Sequence, residues 1–232
     1  MNRPFIKSGI IGLLVIVMSV CLMTVFPGKA PSMMEGFFTP IIAFEFVQTP
    51  QEVLQLFGSS DSMARQEMIA AMDLGNRLDY IYMCLYATFL LLFSLSVVKL
   101  TGKKGYYVAA VLAVIVLAAD ALENVQLLGI TSKIATQDFE NELCRLHDFT
   151  WLKWGGIAAI FLVLLPYFIR GHAYSKIIAI MGVVSFVLAV LSFMKRSMLN
   201  EIFALSVAIM FLLMIVYSFV HKEEKGLAGD SG

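Results

Sequence analysis

Residues 106–128 read YYVAAVLAVIVLAADALENVQLL. No charged residue occurs from Tyr106 to Ala119, and then Asp120, Glu123 and Asn124 follow at spacings of three and four. A helix needs about 20 apolar residues to cross about 30 Å of hydrocarbon. The run is apolar on every face and does not alternate with period two, so it reads as a membrane-spanning helix rather than a barrel strand. At a rise of about 1.5 Å per residue, Asp120 lies about 21 Å beyond Tyr106, below the far boundary of the hydrocarbon by about 9 Å. Spacings of three and four put all three polar residues on one face. Ala109 and Ala113 share that stripe and admit a close neighbour, so the face points into a helix bundle.

Five further runs have the same character: Ile10–Phe26, Leu78–Val98, Trp151–Ile169, Ile177–Met194 and Ile202–Val220. The composition agrees. Of 232 residues, 59% are hydrophobic and 15% charged, and mean hydropathy is +0.84. Ordinary soluble domains have about 45–50% and about 25%. Seventeen basic and seventeen acidic residues leave no net basic field, which speaks against a nucleic-acid partner. The expected fold is all-α, a polytopic bundle of six transmembrane helices whose main partner is the lipid bilayer. It is read as one domain over residues 1–221 with a flexible tail over 222–232.

Arg3 and Lys7 precede the first run as they would a signal peptide, but no A-x-A site follows and Pro27 and Pro31 crowd Ala30. The first run is therefore expected to be a retained span. Short, basic loops are expected inside and long, acidic ones outside, which puts both termini in the cytoplasm. With that orientation nine basic residues face three acids on the inner side. Trp151 and Trp154 then mark the outer interface. The compact spans and short inner loops suit a bacterial cytoplasmic (inner) membrane.

Two outer segments are too apolar to be linkers. Residues 27–76 carry Phe37, Phe38, Ile41, Ile42, Phe44 and Phe46, and are expected to lie in the interface or to fold over the bundle mouth as a lid. Thr49-Pro50-Gln51-Glu52 is a capping box with Pro at the first helical position. A second amphipathic helix is expected from Asp61 to about Asp73, and Asn76 with Asp79 reads as a cap opening span two. In the second outer loop, residues 131–148, Ile134, Leu143 and Leu146 define another interfacial helix.

The candidate site is a set of ionisable residues at the outer end. Lys153 falls near the outer boundary of span four, Asp79 opens span two at a similar level, and Glu45 interrupts an apolar stretch. Glu45, Asp79, Asp120, Glu123, Asn124 and Lys153 are expected to converge in one layer. An acid or a lysine at the membrane centre costs about 2.5–3.5 kcal/mol on insertion scales. Such residues are tolerated when they pair, bind a cation, take up protons or line water. The competing readings are structural: Asp79 as a cap, an acid–Lys153 pair that only holds helices, and Lys153 snorkelling outward.

The pattern Ala43–Gln48 (AFEFVQ) echoes Ala121–Gln126 (ALENVQ), which would place Glu45 and Glu123 at related positions of a repeat. Cys21, Cys84 and Cys144 are scattered and carry no metal or disulfide signature. No haem, flavin or nucleotide motif is present, and no HExxH or GxSxG. The sequence therefore favours an outward-facing carboxylate cluster that binds a cation, a proton or an amine-bearing ligand, in transport or otherwise. A hard divalent cation suits carboxylate oxygens, and a polar lipid headgroup is the other candidate partner. The alternatives are a membrane scaffold in which the cluster pins helix packing, and a membrane enzyme acting on a lipid or isoprenoid.

Overall fold

Apolar residues on every face leave a chain in lipid no option but to satisfy its backbone within helices. The computed structural model, which describes residues 3–58 and 62–222, contains no strand among those residues. Its helices are α1 (Ile6–Val25), α2 (Pro40–Glu45), α3 (Pro50–Phe57), α4 (Met63–Thr101), α5 (Tyr107–Lys133), α6 (Glu140–Ile169), α7 (Ala173–Met194) and α8 (Met198–Val220). A short 3-10 turn, Lys104–Tyr106, leads into α5. Six of these, α1 and α4 to α8, are long and apolar enough to cross a membrane.

The six spans pack in chain order, each against the next, and α1 closes the ring against both α4 and α8. Glycine permits the closure. A Cβ at Gly12 would lie 2.5 Å from Ile215 Cγ1 on α8, so the two backbones approach closely. Aromatic and aliphatic side chains fill the ring, among them Phe89, Phe93, Ile157, Phe161, Leu164, Phe168 and Met210. Outward, Leu13, Leu14 and Val17 of α1 and Ile180 and Val187 of α7 are exposed, as lipid-facing positions are.

Helices α4 to α6 overshoot the bilayer. The 39 residues of α4 extend about 58 Å, against about 30 Å of hydrocarbon. Their projecting ends join α2 and α3 around a second apolar core: Phe44, Phe46, Val53, Leu56, Phe57, Met68, Met72, Leu127, Ile130, Leu143 and Leu146. Much of the apolar surface of segment 27–58 is thus covered by protein, while Phe38 stays exposed.

Two expectations about the loops are corrected. The helix expected over 61–73 and the cap expected at Asn76 are parts of α4, which is capped instead by Ser62 accepting from the Arg65 N–H at 3.1 Å. Gly75 does not stop the helix. It makes room for Phe26, whose ring lies 2.3 Å from where its Cβ would be. Asp61 falls outside the described residues, as does the tail beyond Lys222. The helix expected over 131–148 is split between the end of α5 and the start of α6. Glu140 and Glu142 occupy the first turn of α6, where the helix dipole favours carboxylates. Ile134, Leu143 and Leu146 turn to the second core instead of to an interface.

The α7–α8 turn holds α2 at both ends. Glu201 accepts hydrogen bonds from Phe38 N (3.0 Å), Thr39 N (2.8 Å) and Thr39 Oγ1 (2.8 Å). Arg196 donates to the Phe46 carbonyl at 2.8 Å and grips the Glu52 carboxylate with two nitrogens. Gly36, at φ +82°, lets the chain pass so close that a Cβ would lie 2.7 Å from Met198 N.

Candidate functional site: a polar layer between two apolar cores

Buried positions on α4, α5 and α6 follow steps of three and four, as in a coiled-coil seam. On α4 they run Met72, Asn76, Met83, Tyr86, with the half-buried Asp79 at the step between Asn76 and Met83. On α5 they run Val116, Asp120, Glu123, Leu127, Ile130, and on α6 Leu146, Thr150, Lys153, Ile157. On each helix the seam is apolar, then polar for two positions, then apolar again. The polar positions form one layer. The core of the ring lies on one side of it and the core beneath α2 and α3 on the other.

Lys153 occupies the centre of the layer. Its Nζ lies 3.2 Å from Glu45 Oε1 and 3.4 Å from Asp120 Oδ1, and it is paired with Glu123 Oε2. An ammonium has three N–H donors and here faces three carboxylates. Each carboxylate gives its second oxygen to a neutral donor. Trp154 Nε1 donates to Glu45 Oε2 at 2.9 Å, Tyr86 OH to Asp120 Oδ2 at 2.5 Å, and Thr150 Oγ1 to Glu123 Oε1 at 2.6 Å. Thr150 also lies 3.1 Å from the Glu45 carbonyl oxygen, so one hydroxyl ties α6 to both α5 and α2. Asp79 joins through Asn124, whose Nδ2 donates to Asp79 Oδ2 (2.8 Å) and to the Asn76 carbonyl (3.2 Å).

Burial is nearly complete: Glu123 is 0% exposed, Asp120 2% and Lys153 6%. Gly156, one turn beyond Lys153, allows this depth, because its missing Cβ would lie 2.5 Å from Val116 Cγ2. Glu45 stands outside the spans. Burial pushes its carboxyl above the ordinary value of 4.5, Lys153 pulls it back, and Asp120 adds to the rise. Glu52 behaves in the opposite way. Burial raises it, but the hydrogen bonds from Arg196 and from the Gln48 and Thr49 N–H groups outweigh that and hold it low.

All six expected residues therefore lie in or beside the layer, and four of them, Glu45, Asp120, Glu123 and Lys153, are in direct contact. Asp79 is an interior residue of α4 and does not cap it, and the Lys153 ammonium does not snorkel outward. Glu45 and Glu123 reach the same lysine, but one ends a six-residue helix and the other lies within a 27-residue helix, so their placement does not follow a repeat. His147 and Asp148 are exposed and border a groove with Glu140 and Cys144.

The pattern of charges does not mark Thr150, and it marks Trp154 only as an interface residue and Asn76 only as a cap. The three–four step from Lys153 back to Thr150 and Leu146, and from Asp79 back to Asn76 and Met72, is the signal that identifies two of them. Among the described residues no group of three or more His, Cys, Asp or Glu has metal-holding geometry. The chain matches no family model, no curated protein and no solved structure.

Proposed function

We propose that this multi-pass membrane protein takes up protons, or a small monovalent cation in their place, at the polar layer. One observation carries the reading. Glu45, Asp79, Asp120 and Glu123 against Lys153 give 4 − 1 = 3 excess negative charges if all ionise, in a layer closed by apolar side chains on both sides. A buried charge without compensation costs several kcal/mol, so the layer recruits positive charge. The proton is the smallest source, and Asp79, which accepts from Asn124 through Oδ2, can take it on Oδ1 without displacing that bond. The side bearing α2 and α3 is the entry side, because Glu45, on the short α2 outside the spans, reaches Lys153 from it. That side faces outward by the distribution of basic loops, with the termini cytoplasmic, in a bacterial inner membrane.

The test is infrared difference spectroscopy of the purified protein across pH 5–8, together with proton uptake in proteoliposomes. Wild type is expected to show a protonated carboxyl signal, and Asp79→Asn, Asp120→Asn or Glu123→Gln to diminish it. A spectrum without such a signal, unaltered by added Na⁺ or K⁺, removes the proposal.

A second reading rests on the saturation of the lysine tripod. Each of its three carboxylates has one oxygen on Lys153 and one on a neutral donor, as a purely structural pin would. Polar residues at seam positions set register and partner choice in helical assemblies. In this scaffold reading the variants lower stability and leave proton and cation uptake at the background of empty liposomes.

A further inference from the structure

Far from the polar layer, an open groove of about 490 Å³ has Pro31 and Leu54 as apolar walls, with Ser32, Gln55, Arg65 and Gln137 as its polar lining. Arg65 lies 14 residues before Asp79 on the same helix, about 21 Å along it. It is 6% exposed, yet its guanidinium makes one side-chain hydrogen bond to a described residue, a long one of 3.4 Å from Nη2 to the Ile134 carbonyl. Among the described residues no carboxylate is in ion-pair contact with it. A guanidinium carries five N–H donors in a planar fork and is permanently charged. With one marginal acceptor in the protein, most of that capacity is left to whatever fills the open groove.

We propose that this groove is an oxyanion site, taking a phosphate or carboxylate group on the Arg65 guanidinium. Three features converge on that chemistry. Among the described residues, those lining the groove include no acid. The amides of Gln55 and Gln137 and the hydroxyl of Ser32 are neutral donors that add hydrogen bonds to an anion without adding charge. Arg65 also occupies the third position of α4, in the first turn, where the helix dipole favours negative charge. The bidentate match between guanidinium and oxyanion gives the site its preference over chloride. This inference is independent of the polar layer and of its proposed role.

The test is thermal unfolding of the full chain in neutral detergent, titrated with inorganic phosphate or succinate against chloride at matched ionic strength. A parallel arm uses nanodiscs with and without anionic phospholipid. A saturable rise in Tm with the free anions, absent in Arg65→Gln and weaker in Arg65→Lys, is the expected result. If only anionic nanodiscs raise Tm, and Arg65→Gln abolishes the rise, the oxyanion is a lipid headgroup. Should Arg65→Gln fail to fold, Gln55→Glu on the exposed rim decides. Its carboxylate is expected to raise Tm without added anion and to abolish the phosphate response. Asp61, four residues before Arg65, lies outside the described residues, so Asp61→Asn is the control. A phosphate response that appears only in Asp61→Asn overturns the proposal for the native protein, as does no saturable response in either arm, or the same response in wild type and in both variants.

Discussion

Glu45, at the end of the six-residue α2, lies 3.2 Å from the Nζ of Lys153 in a membrane-spanning helix. With the Trp154–Glu45 and Thr150–Glu45 hydrogen bonds, that contact ties the chain between the first two spans to the polar layer. The cover over the layer and the layer itself are therefore parts of one network, and the variants below perturb both.

Removing the central cation is expected to be costly. Lys153→Met leaves three carboxylates facing one another, and loss of one partner of a buried pair costs about 3–5 kcal/mol. Reversible unfolding in mixed micelles measures it. Adding Asp120→Asn and Glu123→Gln to Lys153→Met is expected to recover a large part of the loss, because neutral residues need no counter-charge. Equal stability of Lys153→Met and wild type contradicts the ion-pair geometry.

Lys153→Ala offers a chemical complement. It leaves a cage with three acceptor carboxylates and the space of a propylammonium chain. Added short alkylammonium ions are expected to raise the Tm of this variant saturably and to leave wild type unchanged. Rescue equal to that from Na⁺ at the same ionic strength would falsify a cage specific for an ammonium.

The two acids of the cover have opposite pH signatures. Glu52 is held below 4.5, so its contribution to stability is present above 4.5 and is lost as pH falls through its lower folded value. Glu45 is raised above 4.5, so its contribution is present below 4.5 and is lost as pH rises from there through its higher folded value. Tm profiles of Glu52→Gln and Glu45→Gln therefore flatten on opposite sides of about 4.5. Flattening on the same side for both refutes the assignment.

The α7–α8 turn grips the cover through contacts distinct from those of Glu45, so loosening this grip is separable from unfolding of the ring. Arg196→Ala removes the grip on Glu52 and Phe46, and Glu201→Gln weakens acceptance at Phe38 and Thr39. Both are expected to speed limited proteolysis within 27–58 by several-fold while the spans stay protected. Uniform cleavage across the chain counts against a locally held cover.

Gly156→Ala tests the close approach that buries Lys153. Its Cβ meets Val116, and overpacking of this kind costs about 1–3 kcal/mol. The accompanying shift of α6 should also weaken the Lys153 contacts, so the effects of Gly156→Ala and Lys153→Met are expected to be less than additive. Strict additivity places Gly156 outside the site.

The spans were legible in the sequence because lipid imposes one rule, and long apolar runs answer it. Asp120, Glu123 and Asn124 declared a shared face by spacing alone. What misled was punctuation. Asn76 with Asp79 reads locally as a cap, yet α4 passes through it because the seam needs the asparagine, and Gly75 beside it gives Phe26 its space. The split of residues 131–148 was hidden for a related reason, since Leu143 and Leu146 suit an interface and a protein core equally. Contacts such as Arg196 with Glu52 depend on two distant segments meeting, and neither segment's composition encodes its partner.

The closure of α1 on α8 has a consequence for biosynthesis. Of the six spans α1 is made first and α8 last, so one flank of α1 has only lipid to touch until the others are in place. Gly9 and Gly12 leave that flank shallow, and the side chains that fill it, Ile215 and Phe219, come from α8. Assembly of the bundle thus has a built-in final step, and a chain stalled before α8 presents an open seam to the membrane's quality-control proteases.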